Sequence, residues 1–361
     1  MVNFRNYSTC ELKGLARVNL ITGKNGSGKT NLIDGVYYIC FGRSYFSSND
    51  RKILNWDESF FRLEGLLKTE EKSYSVVAKV IPSKLKEIYI NDKKLAKISE
   101  LIGRFPIIAI APKEIYTLLL TSEARRKLID QVIAQSDQSY LQNLLNYNAY
   151  LARRNASLKM ARHISEVDKQ LMEVLNVQLD ELGHAIHQKR KSVINQIQET
   201  FQRIYGLISL DRESCYFRYK SQLDDYRLKD LLENNLEKDL GLQRTTVGIH
   251  KDDLKFFIND EVLNAYGSQG QLKSFIISLK LALFNYLTSH VDIPKPILLL
   301  DDIFDKFDED RTQALMSYIL GEELGQVFIT DASDNRMKNI LESFDEQIMH
   351  IRVDKGELSY E

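Results

Sequence analysis

Residues Arg17 to Thr30 read RVNLITGKNGSGKT, and no other stretch of the chain restricts its fold so narrowly. A short apolar strand, Val18 to Ile21, runs into Gly23-Lys24-Asn25-Gly26-Ser27-Gly28-Lys29-Thr30, which fits the P-loop pattern G-x-x-x-x-G-K-[ST] at every fixed position. Gly23, Gly26 and Gly28 let the backbone turn tightly enough for the loop N–H groups to converge on phosphate oxygens at the positive end of the next helix. Lys29 supplies the cation for the β- and γ-phosphates, and Thr30 a hydroxyl for Mg²⁺. The following NLIDGVYYICF predicts a helix with Leu32, Ile33, Val36, Tyr37 and Cys40 on one face. Strand, loop and helix therefore come in the order a nucleoside triphosphate site needs, although nothing here separates adenine from guanine.

The second half of such a site is an acidic strand end. Pro296 to Asp302 reads PILLLDD, a buried strand closing on two carboxylates. Asp301 is placed to hold Mg²⁺ through water, and Asp302 to orient or deprotonate an attacking water.

Between these motifs the chain changes character. From Lys113 to Ile293 it has no proline, and proline is excluded from helix interiors. Leu171, Leu175, Leu179, Leu182 and Ile186, then Val193, Ile194, Ile197, Phe201 and Ile204, recur at helical steps and predict two successive amphipathic helices. The flanks read as strands: SYSVVAKVIPSKLKEIYIN from Ser73 is a strand pair with a turn at Pro82-Ser83-Lys84, and PIIAI, PILLL and QVFIT are fully buried strands. The predicted architecture is an α/β domain built from both chain ends, 1–118 and 241–361, with a helical lobe, 119–240, inserted between them. Both ends are expected in one sheet, because neither alone carries the P-loop strand and the acidic strand.

Composition excludes several classes. Cys10, Cys40 and Cys215 lie too far apart for a zinc or disulfide pattern, and no run of about 18 apolar residues offers a membrane helix, so a soluble cytoplasmic protein without membrane contact is expected. Lysine plus arginine number 49 against 50 acidic residues, so any nucleic-acid contact has to come from local patches.

One further stretch, YGSQGQLKS from Tyr266 to Ser274, has no acid, base or nucleophile pair. It opens the helix QLKSFIISLKLALFNYL, which leads to the acidic strand, and that order is the layout of the ABC-type ATPase signature. In that family such a turn grips the γ-phosphate held by another subunit's P-loop. Ser268 offers a hydroxyl, Gly270 permits close backbone approach, and Gln269 and Gln271 sit at a helix N-terminus that favours an anion. The ordinary alternative is a serine and glycine helix cap.

Taken in order, FRNY, GKNGSGKTNLIDGVYY, RRKLID, RRNASLK, GIHKDDLKF, YGSQGQLKS and ILLLDDIFDKFDEDR resemble the RecF family over nearly the whole chain. The resemblance implies an ABC-type, SMC-like ATPase head with a helical lobe in place of coiled-coil arms. It further implies a weak, DNA-stimulated ATPase that uses ATP and Mg²⁺ and forms an ATP-dependent homodimer. Such a dimer would bind double-stranded DNA at gap junctions and act with RecR and RecO to load RecA. By the same resemblance Asp308 and Arg311 fall in a loop that crosses between subunits, and Thr330 ends the strand where transporter ATPases carry a switch histidine. Arg125 and Arg126, and Arg153 and Arg154, become candidate DNA contacts because they sit in family-like motifs; Lys127, Lys159, Lys189, Arg190 and Lys191 complete the basic clusters. The chain departs from the family at Lys306 and Phe307, at Ile249 in place of a proline, and at Lys251 in place of an arginine. Two other classes fit parts of the pattern: an SMC-like clamp, and a monomeric P-loop kinase in which Ser268 is a helix cap.

Overall fold

The structure, a computed structural model, describes residues 1–360 other than 70, 162, 211, 212, 305, 306, 308, 322, 323, 334–336, 338, 339, 342, 343 and 345–347. The chain divides into two compact units: Met1–Tyr116, Ile204–Arg212 and Lys273–Glu361 form the first, Thr117–Arg203 and Glu213–Leu272 the second.

The first unit contains two six-stranded sheets. In one, Ile107–Ile110, Ile297–Asp301, Val327–Asp331, Val18–Thr22 and Ile348–Asp354 lie side by side and parallel, with Glu357–Tyr360 antiparallel at the edge. Both chain ends thus enter one sheet. The P-loop strand and the acidic strand are separated by Val327–Asp331 alone, which brings Thr330 between their carboxyl ends. All five residues of each of these three strands are buried, which explains why their apolar residues do not alternate with exposed polar ones; Asn19, the polar residue inside the P-loop strand, is buried too and donates to the Ala16 and Val327 carbonyls.

The other sheet is antiparallel, in the order Tyr7–Thr9, Val2–Phe4, Phe61–Lys68, Ser73–Ile81, Leu85–Ile90, Lys93–Lys94. Its turn at Pro82-Ser83-Lys84 places Ser83 in the left-handed region, φ 64°. The helix Lys29–Phe41 packs against strands of both sheets, and one continuous apolar cluster joins the three. Two-sided packing corrects the single apolar face read from the sequence: Asp34, Tyr38 and Ile39 are buried along with the expected Leu32, Ile33, Tyr37 and Cys40, whereas Val36 is only half-buried.

The second unit holds the helices Ser122–Ser136 and Gln138–Met160, most of Lys169–Ser209, the short helices Leu228–Asn234 and Leu236–Leu242, and a three-stranded sheet. Two differences from the sequence reading have physical causes. Lys169–Ser209 is one helix of 41 residues, not two, because no proline interrupts it. Gly183, within that helix, is where its surface is crowded: a Cβ there would meet Leu228 Cδ2 at 2.6 Å. Secondly, the lobe is not purely helical, because Cys215–Lys220 pairs antiparallel with Asp253–Ile258 across two intervening helices. That pairing carries the second unit on to Leu272, beyond the expected border at 240.

Candidate nucleotide-binding site

The loop after Val18–Thr22 turns as its glycines require. Gly23, Gly26 and Gly28 have φ of 144°, 81° and 119°, and a Cβ on Gly23 would come within 2.2 Å of the Val353 carbonyl oxygen. The FRNY segment props the loop from outside. Tyr7 Oη donates to the Gly28 carbonyl at 3.1 Å, Asn6 Nδ2 donates to the Ser27 carbonyl at 3.2 Å, and Asn31 Nδ2 donates to Asn6 Oδ1 at 2.7 Å. One turn further along the helix, Arg5 pairs with the sealed Asp34 at 2.6 Å, while Ser44 donates to the same carboxylate. Burial pushes the Asp34 carboxyl upward, and Arg5 and Ser44 oppose that shift by stabilising the ionised form. Sequence reasoning took FRNY only as a mark of family resemblance; its work is to brace the loop.

Lys29 Nζ lies back over the loop and donates to the carbonyls of Gly23 at 2.6 Å and Lys24 at 3.1 Å. Beneath it, Asp301 Oδ1 accepts from both Thr30 Oγ1 and Thr330 Oγ1, each at 2.8 Å. Burial raises the Asp301 pKa, and neighbouring Asp302 adds to that; the two threonines and Lys29 oppose it. Because Thr30 gives its proton to Asp301, its oxygen lone pairs remain for an incoming cation. Asp302 sits beside this group with φ 49°, its N–H held by Thr330 Oγ1 at 3.0 Å and by the Thr330 carbonyl at 3.2 Å. Left-handed backbone on a non-glycine residue is uncommon, and here it turns the chain immediately after the acidic strand. Asn25, Gly26, Gly28, Lys29, Thr30, Asn31, Asp302 and Thr330 line one pocket of about 160 Å³, room for phosphate groups and not for a whole nucleotide.

A nucleotide's phosphates and a divalent cation fit this donor set. The Ser27 hydroxyl, inside the loop, is buried and has no hydrogen-bond partner among the described residues, as expected of a group aimed at a ligand. Thr30 and Asp301 are the residues that would hold Mg²⁺, which when bound neutralises charge between the β- and γ-phosphates.

The turn Ser268-Gln269-Gly270-Gln271 lies in the second unit and starts the helix Gln269–Thr288. Ser268 and Gln269 are exposed, while Gly270 and Gln271 are half-buried. Gln271 N donates to Ser268 Oγ at 3.3 Å and Ser268 N donates to Gln271 Oε1 at 2.7 Å, a reciprocal capping box. Gln271 Nε2 also donates to Glu213 at 2.8 Å, a partner that nothing in the sequence pattern announced. Of the loop thought to cross between subunits, Asp308 and Lys306 lie outside the described residues. Phe307 is buried beneath the Lys273 ammonium, 4.7 Å from its ring centroid.

The candidate DNA-contacting arginines separate into two kinds. Arg154 is 0% exposed, pairs with the equally sealed Asp239 at 2.7 Å, and donates to Asn176, Thr245 and the Leu232 carbonyl. Arg125 is buried too, pairing with Asp253 at 2.8 Å and capping the carbonyls of Leu118 and Leu119. These two are corrected to internal braces, since their donors are consumed by buried acceptors. Arg126 is half-buried with one donor on the Asp252 carbonyl, and Arg153 is exposed over the Tyr150 ring. Of the remaining basic residues Arg190 is buried between Asp130 and Asp252, while Lys189, Lys191 and Lys127 form surface pairs with Asp137, Asp224 and Glu123, and Lys159 is exposed. The segments RRKLID and GIHKDD are therefore locked to each other and to Arg190. Arg154→Ala is expected to destabilise the protein by about 3–5 kcal/mol, because it strands the Asp239 charge in the interior, whereas Arg153→Ala should stay within about 0.5 kcal/mol. Urea denaturation of both variants checks this, and equal midpoints would refute it.

The RecF/RecN/SMC N terminal domain model matches residues 1–357. The DNA replication and repair protein RecF of Cytophaga hutchinsonii is 37% identical over 99% of this chain and 94% of its own length, and that of Flavobacterium johnsoniae is 36% identical over 95% of each. A solved structure of the recombination mediator protein RecF with ATP, from the RecFOR pathway, superposes with a TM-score of 0.88 at 27% identity, covering 100% of this chain and 95% of that one. An SMC head domain from Pyrococcus furiosus shares the fold at a TM-score of 0.55 and 16% identity. The chain belongs to the RecF family of DNA replication and repair proteins, built on an ABC-type ATPase head.

Proposed function

We propose that this chain is an ATP-dependent DNA-binding protein of recombinational repair and replication. Two copies close on ATP and Mg²⁺, engage double-stranded DNA at single-strand gap junctions, and act with RecR and RecO to promote RecA loading. The observation that carries the reading is the meeting of Thr30 and Thr330 on Asp301 directly below the P-loop, because this joins a phosphate cradle to an acidic cation site. The neighbouring Asp302 is the residue assigned to activating water. Residues 1–118 and 241–361 are read as the ATPase head and 119–240 as the lobe, since the turn at Ser268 to Gln271 serves the head's chemistry. In each site, Gly23 to Thr30 of one subunit and Ser268 to Gln271 of the other would surround one ATP. No described helix is long and apolar enough to cross a membrane.

The test is DNA affinity measured with ATP, with ADP and without nucleotide. Binding with ATP at least about tenfold tighter than in the other two states is expected, a difference of roughly 1.4 kcal/mol in coupling. Equal affinity in all three states would point to a P-loop enzyme that works as a monomer.

A further inference from the structure

The three-stranded sheet of the second unit has an inner face of Cys215, Phe217, Leu254, Phe256 and Ile258, all buried. Its outer face carries Tyr216, Arg218 and Lys220 on one strand opposite Phe257, Lys255 and Asp253 on the next. Arg218, Lys220 and Lys255 are exposed. We propose that this outer face is a docking surface for the sugar–phosphate backbone of duplex DNA; the inference rests on the DNA-binding function proposed above and assigns the surface that performs it.

Three observations support the assignment. Arg218 stands directly opposite Lys255, a like-charge placement that costs stability across a strand pair and that the Lys255–Asp253 contact relieves on the Lys255 side alone. Arg218 has no carboxylate partner among the described residues. Instead its guanidinium carbon lies 5.0 Å from the Tyr216 ring centroid and 5.4 Å from that of Phe257. A guanidinium held against rings keeps its in-plane N–H fork available, which suits phosphate oxygens. Lys220 likewise has no carboxylate partner among the described residues. The one carboxylate in these rows, Asp253, is neutralised twice, by Lys255 at 2.9 Å and by the buried Arg125 at 2.8 Å. Asp260, in the hairpin beyond, accepts from Tyr216 Oη at 3.1 Å.

The aromatic pair argues for duplex over single strands. Tyr216 and Phe257 stack on each other, with centroids 4.9 Å apart and planes 14° from parallel, so they face each other across the two strands. Single-strand binders instead offer ring faces on which successive bases stack. What this face presents is a row of cations, and cations neutralise a backbone without reading bases.

The experiment uses the full chain with ATP and Mg²⁺, a fluorescent duplex and the matching single strand, titrated at several salt concentrations. In the double variant Arg218→Ala with Lys220→Ala, duplex affinity should fall about tenfold or more, and the slope of log K against log salt should shrink by about 1.8, two contacts' worth. ATP affinity should be unchanged, and Arg218→Lys with Lys220→Arg should retain most duplex binding. Unchanged duplex affinity and slope in the alanine variant, beside a wild type that binds, would overturn the surface assignment alone. So would a loss confined to the single strand, or a charge-retaining variant as weak as the alanine one. A wild type that binds no DNA in any nucleotide state would instead defeat the function proposed above, and this surface with it.

Discussion

Lys29→Ala is expected to weaken ATP binding by about a hundredfold or more, equivalent to roughly 3 kcal/mol for removing one partner of a desolvated charge contact. The expectation follows from where the ammonium sits: Nζ is buried against the Gly23 and Lys24 carbonyls, inside the turn that cradles phosphates. Among the described residues no other lysine or arginine lines that pocket. Asp302→Asn should behave differently. Asparagine tolerates the left-handed backbone at φ 49° at least as well as aspartate, so the turn survives while the charge that activates water is lost. ATP affinity should then stay within about threefold while turnover drops by about a hundredfold or more, the pattern of a group that acts only in the transition state. Isothermal titration beside steady-state ATPase assays separates the two roles. Equal loss of ATP affinity in both variants would show that Asp302 serves binding and not chemistry.

Ser268→Arg is expected to abolish ATP-driven dimerisation and hydrolysis while leaving nucleotide binding by the single chain intact. Ser268 is exposed and belongs to the second unit while Gly23 to Thr30 belong to the first, so the substitution changes no residue of the chain's own cradle. The substitution also removes a surface helix cap, which costs about 1 kcal/mol and is tolerable in a protein of this size. Mixing Ser268→Arg chains with Lys29→Ala chains supplies the stronger test. A heterodimer of the two gathers both defects into one composite site and leaves the other intact, so ATPase activity should partly recover. If Ser268→Arg chains still dimerise with ATP, the capping box to Gln271 is the whole purpose of the turn.

The P-loop, the acidic pair and the buried strands are legible in the sequence because each rests on local physics. Glycines at Gly23, Gly26 and Gly28 fix a turn within a few residues, and the apolar runs 107–110, 297–300 and 327–329 admit little besides buried parallel strands. That both chain ends enter one sheet followed from the chemistry too, since one phosphate needs a strand from each. Tertiary structure decided what depends on partners distant in sequence. Arg153 and Arg154 are adjacent and alike in the chain, yet one is solvated and the other sealed against Asp239, because a helix turns about 100° per residue and only packing chooses which side faces inward. Thr330 became a ligand of Asp301 through the strand order, and Tyr7 a brace for Gly28 through the antiparallel sheet folding back over the loop. Local spacing determines the turn that cradles a phosphate. Which charges remain free to meet anything else is decided by the pairing of groups a hundred residues apart, as Arg125 with Asp253 shows, because burial without a partner costs more than the chain can bear.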